Sequence, residues 1–442
     1  MQNVMVVGGR LTGTAAFIQL ATQLSPGSRV TIVDPALEDY PAVFGDPAPH
    51  LLCNTSAHIG SLLPEVPDDF LSYLPPSVDP NGVPRYLVGR YAASRFQHYR
   101  RVAASRGVET VTVRGTVTSI TRAPDGYLVR LAAGAPLTAT DVILAMGPGP
   151  ARLVPGPPSV SPYPTTPLLD RTPERAVVVG MGSGGIDAAL VLANAGVEVT
   201  IVSRSGYFPA VRTRTLRTGT VMVEPGREQL HLRTVLERFS IDRQGSFAGF
   251  PEPAGHPADQ LRRDLDAASP EDTPWQDALA DVVYLLGSRS LQLSDPPAFV
   301  WRHLTSVMAT TATMLNRHIE TGAVTPARLD DVDVEAFPLV VSAIGTDAYP
   351  LHGSSTGLRL GPPTAGTRPI TQLDDTLRVV LPGRQQPERI WAIGPTAGIA
   401  RLTSSALCVA VAQAREAVEQ VTSRPAESDA EAFGEEFAAV SA

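Results

Sequence analysis

Lysine is absent from the 442-residue sequence, so all 36 side chains counted as Lys or Arg are arginines. This bias accompanies abundant Ala, Gly and Pro and reads as genome composition rather than chemistry. Against 44 acidic residues it leaves a formal net charge of −8, spread over many short segments. A basic footprint for nucleic acid or an anionic membrane is therefore missing. Cysteine is scarce as well: only Cys53 and Cys408 are present, far apart and in no CxxC. That excludes a disulfide framework, a thiolate zinc site and a dithiol redox centre, so any redox chemistry needs a borrowed cofactor. His58, His98, His231 and His256 show no ligand spacing with carboxylates, and there is no HExxH, P-loop or nucleophile elbow. No metal is expected. No apolar run reaches bilayer length, and Met1 to Val7 leads straight into an apolar strand with no basic leader, so the expected compartment is the cytoplasm.

The length allows two or three domains, and a hydrophobic content of 43% fits ordinary globular packing. Val4 to Val7 is a short apolar run, followed by a Gly-rich turn, a helical stretch to about Leu24 and a second run, Val30 to Val33. The same order returns at Ala176 to Val179, with an Ala-rich helix through Ala195 and a strand from Val197 to Val202. The fold class is thus α/β, with two Rossmann-like units. Glu109 to Val129 and Asp141 to Gly147 read as strands, and Pro-rich sequence from Pro148 to Pro167 reads as a linker. Three helical stretches follow, Ala258 to Ala268, Trp275 to Leu291 and Phe299 to Ile319, and then a strand, Leu339 to Ile344, ending in Gly345. Arg389 to Gly394 reads as a strand and Thr403 to Val421 as a helix, by which the chain returns to its first domain. The expected boundaries are residues 1–150 and 346–423 for the first domain and 151–345 for the second, with a helical insertion at about 225–335. The acidic tail, 424–442, is expected to be disordered.

The second turn, Gly180-Met181-Gly182-Ser183-Gly184-Gly185, satisfies GxGxxG through Gly180, Gly182 and Gly185, directly between strand and helix. Its glycines serve a tight turn, close approach to a pyrophosphate, and helix-to-strand packing, and the helix N-terminus adds positive potential. Ser183 falls at that N-terminus. Where an NAD-preferring fold carries an acid at the end of the second strand, this chain has Ser203-Arg204. Nothing there repels a 2′-phosphate, and Arg204 is suited to hold one, with Arg212 and Arg214 near in sequence, so NADPH is expected. The first turn, Gly8-Gly9-Arg10-Leu11-Thr12-Gly13, keeps Gly8 and Gly13 but puts Arg10 at the second position. The strand after it ends in Asp34, a carboxylate suited to the ribose of FAD. The alternative is a relic fold that lost its flavin through Arg10.

Two dinucleotide folds, one inserted into the other, resemble the two-dinucleotide-binding-domain flavoproteins, which include N-hydroxylating and Baeyer–Villiger-type monooxygenases and disulfide reductases. The segments His50-Leu51-Leu52-Cys53-Asn54 and Pro84-Arg85-Tyr86-Leu87-Val88-Gly89-Arg90-Tyr91 resemble a bacterial FAD/NAD(P)-binding family with "HLLN" and "pR…yG.Y" segments, Cys53 being one residue extra. That resemblance implies FAD and NADPH as cofactors, with Asn54 near the flavin ring or substrate and Arg85 holding a phosphate or ordering its loop. Trp391 to Gly398, containing Gly394 and Pro395, resembles the last flavin-contacting segment, with Pro395 where an Asp is usual. Gly147 and Gly345 close strand ends that resemble the crossings between domains. For catalysis the candidates are Asn54, His303 and His318, the two histidines being placed fifteen residues apart on one helix. The activity implied is that of an NADPH-using, single-component monooxygenase acting on a small molecule with molecular oxygen. The alternatives are a reductase or dehydrogenase without oxygen chemistry and a non-catalytic nucleotide-binding protein.

Overall fold

The computed structural model spans residues 1–442 and describes all but 38–41, 171, 218, 220–228, 240–252, 254, 270–274, 289–290, 295–296, 403–405 and 424–442. The acidic tail expected from Arg424 lies outside the described residues.

Among the described residues three sheets have four or more strands, and two more are two-stranded. The first is parallel, in the order Ile390–Ala392, Asp141–Leu144, Asn3–Val7, Arg29–Asp34, Glu109–Arg114. Val6 stands between Ile32 and Ile143 in register, all three fully or almost fully buried. This is the apolar continuity that a sheet covered on both faces requires. Helix Leu11–Gln23 buries Ala15, Ala16, Phe17 and Leu20 between the helices Arg85–Ser105 and Leu407–Thr422. Each large side chain so buried contributes about 1.5–3 kcal/mol. The small alanines let the helix approach the sheet closely.

A second parallel sheet follows the order Val324–Arg328, Glu198–Ser203, Arg175–Val179, Val340–Ser342, with helix Ser183–Asn194 packed on it. The third sheet is antiparallel and six-stranded: Arg368–Pro369, Leu351–Ser354, Gly357–Leu360, Val117–Ala123, Gly126–Leu131, Leu137–Ala139. The strand run read over Glu109 to Val129 is therefore divided between two sheets. The hairpin closes at Gly126, where φ is +132° and an added Cβ would stand 2.3 Å from the Ala139 carbonyl oxygen. A glycine is required there.

The helical region departs from expectation. Its third stretch is two helices, Pro297–Leu304 and Ala309–Glu320. Between them Val307–Met308 pairs in parallel with Val211–Arg212, because Thr305, Ser306 and Val307 favour extended backbone and the pairing satisfies it. His303 and His318 consequently sit on different helices. At the C-terminus Ile390–Ala392 is the strand, Gly394–Ile399 is a 3-10 helix, and the last α-helix is Leu407–Thr422, the Thr403 start expected for it lying outside the described residues. Among the described residues no helix is long and apolar enough to cross a membrane.

Candidate functional site

Two strand-to-helix turns share one geometry. Gly8 has φ +101°, and a Cβ there would lie 2.3 Å from the Ala145 carbonyl oxygen. Gly180 has φ +120°, and its Cβ would lie 2.3 Å from the Ala343 carbonyl oxygen. Gly13 and Gly185 approach the carbonyls of Gly8 and Gly180 so closely that a Cβ would stand 1.8 and 1.7 Å away. These four positions exclude side chains on steric grounds. The second position of each turn is different. Gly182, the N-cap of its helix, has φ −75° and ψ −176°, and a Cβ there would meet nothing within 4 Å. Arg10, the N-cap of the first helix, has φ −85° and ψ −154°, and it is exposed. The backbone at that position is extended in both turns, so a side chain adds bulk without strain, and Arg10 keeps its bulk in solvent. The residues present fit a dinucleotide in either turn: open space at a positive helix end, with backbone packed tightly around it.

Asp34 stands beside the first turn, buried, with its oxygens accepting from the Gly9 and Ala36 backbone N–H groups at 2.8 Å each. Each oxygen retains a lone pair for a ribose hydroxyl. Gly394 packs on the same turn: its φ is +61° and a Cβ would meet Thr12 at 2.6 Å. The Gly394 N–H donates to Gln413 Oε1 at 2.7 Å, and the Met146 N–H donates to Thr396 Oγ1 at 3.0 Å. Gly394 opens the six-residue 3-10 helix and Pro395 is its second residue, so no α-helix N-terminus follows Gly394 directly.

Asn54 joins the two units. Its side-chain amide donates to Ser183 Oγ at the second turn, and its carbonyl accepts from Arg212. Arg85 is buried and does not stand free for a phosphate. Its Nε donates to the Leu52 carbonyl at 2.9 Å, its Nη1 to the Tyr163 hydroxyl at 2.6 Å, and it forms an ion pair with Asp187 on the second unit's helix. Arg85 thus ties its own loop, through Leu52, to Tyr163 and Asp187 of the opposite unit. Burial pulls the guanidinium's pKa down, but Asp187 and Tyr163 more than offset this and hold it above its ordinary value. A second tie runs from the Thr165 N–H to Asp46 Oδ2 at 3.1 Å. Burial keeps His50, with its Nε2 unpartnered, below its usual pKa, against the pull of Asp187 and Asp46. It pushes the Cys53 thiol up to about 12 and the Cys408 thiol to about 11.

At the end of the second unit's strand, Ser203 Oγ accepts from the Gly206 N–H at 3.0 Å and Arg204 is exposed. The neighbouring strand brings Arg328 into register with Ser203, and Arg328 Nη2 donates to the Arg204 carbonyl at 3.4 Å. Arg328 was not legible beside Arg204 because the two are joined only by strand pairing. Arg214 is taken by Asp277 and Arg212 is buried elsewhere, so neither supports Arg204. His303 is buried against Trp275 and Phe299, its Nδ1 3.0 Å from the Phe299 carbonyl. His318 lies on the other helix with its Nε2 3.1 Å from Asn194 Oδ1. Gly147 and Gly345, φ +82° and +94°, lie at the two crossings, where Arg152 N–H donates to the Gly345 carbonyl at 3.0 Å. Among the described residues no group of three or more His, Cys, Asp or Glu side chains is placed to hold a metal.

Paired turns of this kind define a protein with two dinucleotide-binding folds. Residues 5–149 match the family described as FAD-NAD(P)-binding, which makes the N-terminal unit an FAD-NAD(P)-binding domain. The cofactor class is thereby FAD with NAD(P). No curated protein matches the chain. Among solved structures, an NAD-dependent persulfide reductase from A. fulgidus is similar at 16% identity over 96% of this chain, with a TM-score of 0.45. The chain spans 60% of that protein's length. An ornithine N-hydroxylase of Kutzneria sp. 744, solved with reduced FAD, NADP+ and L-ornithine, is 14% identical, with 95% of this chain and 99% of that one covered and a TM-score of 0.48. A bacillithiol disulfide reductase of Bacillus cereus is 14% identical, with 96% and 99% covered and a TM-score of 0.48. At such identities reductases and a hydroxylase stand side by side.

Proposed function

We propose that the protein is an FAD-dependent, NADPH-using oxidoreductase that passes electrons to molecular oxygen and oxygenates a small molecule, as a single-component monooxygenase. The observation that carries this reading is the joining of the two units through Asn54, which spans from the loop of the FAD-NAD(P)-binding unit to Ser183 at the mouth of the second turn. When bound, FAD supplies a two-electron acceptor for the nicotinamide hydride and a donor to the next oxidant. The chain's part is to bind and orient. Gly180, Gly182 and Gly185 receive the pyrophosphate of NADPH, Asp34 accepts from the ribose of FAD, and the packed helices of the insertion keep water out.

Oxygen as acceptor is supported by the cysteines. The chain has only two, and burial holds both protonated at neutral pH, so neither takes electrons as a thiolate. The test is NADPH oxidation by the FAD-loaded protein against small amines, thioethers and ketones, with an oxygen electrode and isotopically labelled oxygen. Label in the product and equal consumption of NADPH and oxygen are expected. Full-rate turnover under argon with another acceptor replaces this reading with the reductase.

The preference for NADPH rests on Arg204 and Arg328, adjacent at the strand end where a ribose phosphate is received. Arg204→Ala and Arg328→Ala should each raise the KM for NADPH about tenfold, the worth of one charge-assisted hydrogen bond, and leave that for NADH unchanged. Equal losses with both nucleotides would remove the two arginines from phosphate recognition.

A further inference from the structure

Arg212 is a buried cation without a counter-charge among the described residues. It is 4% exposed, in the short strand Val211–Arg212 between the second turn and the helical insertion. Its backbone is fixed on both sides. Val211–Arg212 pairs with Val307–Met308, and the following Thr213 and Arg214 N–H groups donate to Gln276 Oε1 at 2.7 and 3.1 Å. The guanidinium donates from Nη1 to Ser306 Oγ at 3.0 Å and from Nη2 to the carbonyl oxygen of Asn54, while Nε, equally buried, has no partner among the described residues. Both acceptors are neutral. Burial depresses the guanidinium to about 10, and among the described residues no carboxylate acts on it to offset that.

Other arginines of the chain show what is missing. Arg95 gives its Nε and Nη2 to Asp69, and Arg389 gives the same edge to Asp141. Of the other three arginines nine-tenths buried among the described residues, Arg85 and Arg302 pair with Asp187 and Asp264, and Arg401, which gives Nη2 to the Asp375 carbonyl at 3.0 Å, has Glu416, Asp375 and Asp374 acting on it. At Arg212 the Nε–Nη2 edge meets, among the described residues, only a peptide carbonyl. A guanidinium held out of water in this way is costly unless an anion completes it, and a fork of N–H donors is shaped for a carboxylate. Its place is also informative. Asn54, whose carbonyl it holds, reaches with its side chain to Ser183 at the second turn. Arg212 therefore stands where the first unit's loop, the second turn and the insertion meet.

We propose that Arg212 is the anchor for the carboxylate of a small organic acid, so that the molecule oxidised by this protein is a carboxylate-bearing one. This rests on the reading above, in which the junction of the two units is where a small molecule is oxidised. The carboxylate takes the free Nε–H and the remaining Nη protons, Ser306 and the Asn54 carbonyl hold the guanidinium plane, and Arg212 itself touches no bond that breaks.

The test reads binding rather than turnover. Formate and acetate serve as probes because a carboxylate of one or two carbons enters any site built for a longer acid. They are titrated into the FAD-loaded protein, with NADP+ present, against chloride at equal ionic strength and against acetamide. A saturable rise in Tm of about 1–3 °C at ten times the midpoint concentration is expected with the two carboxylates only. Arg212→Met should lose that rise while its own Tm without ligand stays level or increases, since an uncompensated buried charge has been replaced by an apolar chain of similar length. Arg212→Lys should keep a weakened response. The proposal is overturned if wild type shows no carboxylate-specific rise, if Arg212→Met responds equally, or if the rise is confined to FAD-free protein. That last result would assign the arginine to the cofactor's own negative charge. A carboxylate response in a protein that consumes no oxygen would sink the monooxygenase reading alone.

Discussion

Gly182→Leu should abolish the use of NADPH while leaving the fold and the bound FAD intact, raising the KM for NADPH more than about a hundredfold. The expectation follows from the difference among the three glycines of the turn. At Gly180 and Gly185 an added Cβ would run into backbone at 2.3 and 1.7 Å, so substitution there tests folding. At Gly182 the φ of −75° suits any residue and a Cβ would meet nothing within 4 Å. The leucine is tolerated by the chain and fills the space where a pyrophosphate comes against the helix N-terminus. Thermal unfolding and flavin absorbance per protein should match wild type, and steady-state kinetics should show the loss. A variant with wild-type KM would mean that the nucleotide does not lie across this turn. The first turn provides the internal control. Arg10 occupies the same backbone conformation with its side chain in solvent, so Arg10→Gly should preserve or raise FAD occupancy.

The largest stability effect should come from Asp187→Ala. It strips the buried Arg85 of its one carboxylate partner among the described residues, leaving an uncompensated cation between the two units, for a loss of about 3–5 kcal/mol. Tyr163 remains as a neutral acceptor and does not replace the charge. The double variant Arg85→Met with Asp187→Leu removes both charges and should recover most of the loss, because an apolar pair of similar volume needs no counter-ion. Chemical denaturation of the three proteins decides it. A cost below about 1 kcal/mol for the single variant would show that the pair is solvated in solution.

What the sequence disclosed was local. Gly8, Gly13, Gly180 and Gly185 are legible because a tight turn imposes its glycines within six residues, and the flanking apolar runs announce the strands. Contacts made across the fold were not legible. Arg85 read as a phosphate or loop residue because its partners, Tyr163 and Asp187, lie far along the chain. Arg328 stayed hidden because only strand pairing sets it beside Arg204. The helix carrying both histidines was over-extended because the helical period continues through Thr305–Met308, where pairing with Val211–Arg212 overrides it. The hairpin Leu351–Leu360 went unread for a similar reason, its strands being only four residues each and defined by partners some 230 positions earlier.

The two crossings at Gly147 and Gly345 lead directly into one another's company: Ala151 and Thr346 are bridge partners, and Arg152 forms an ion pair with Asp347 at 2.7 Å. The point where the chain leaves the first sheet is thus a neighbour of the point where it comes back. Everything between hangs from a single doorway, like a cassette in its slot. Excision of residues 152–345 would leave ends close enough to rejoin through a turn of a few residues, with little loop entropy to overcome. The five-stranded sheet, its Leu11–Gln23 helix and the antiparallel sheet would keep their own cores, so the FAD-NAD(P)-binding unit has the connectivity of a free-standing module into which the second nucleotide fold has been spliced.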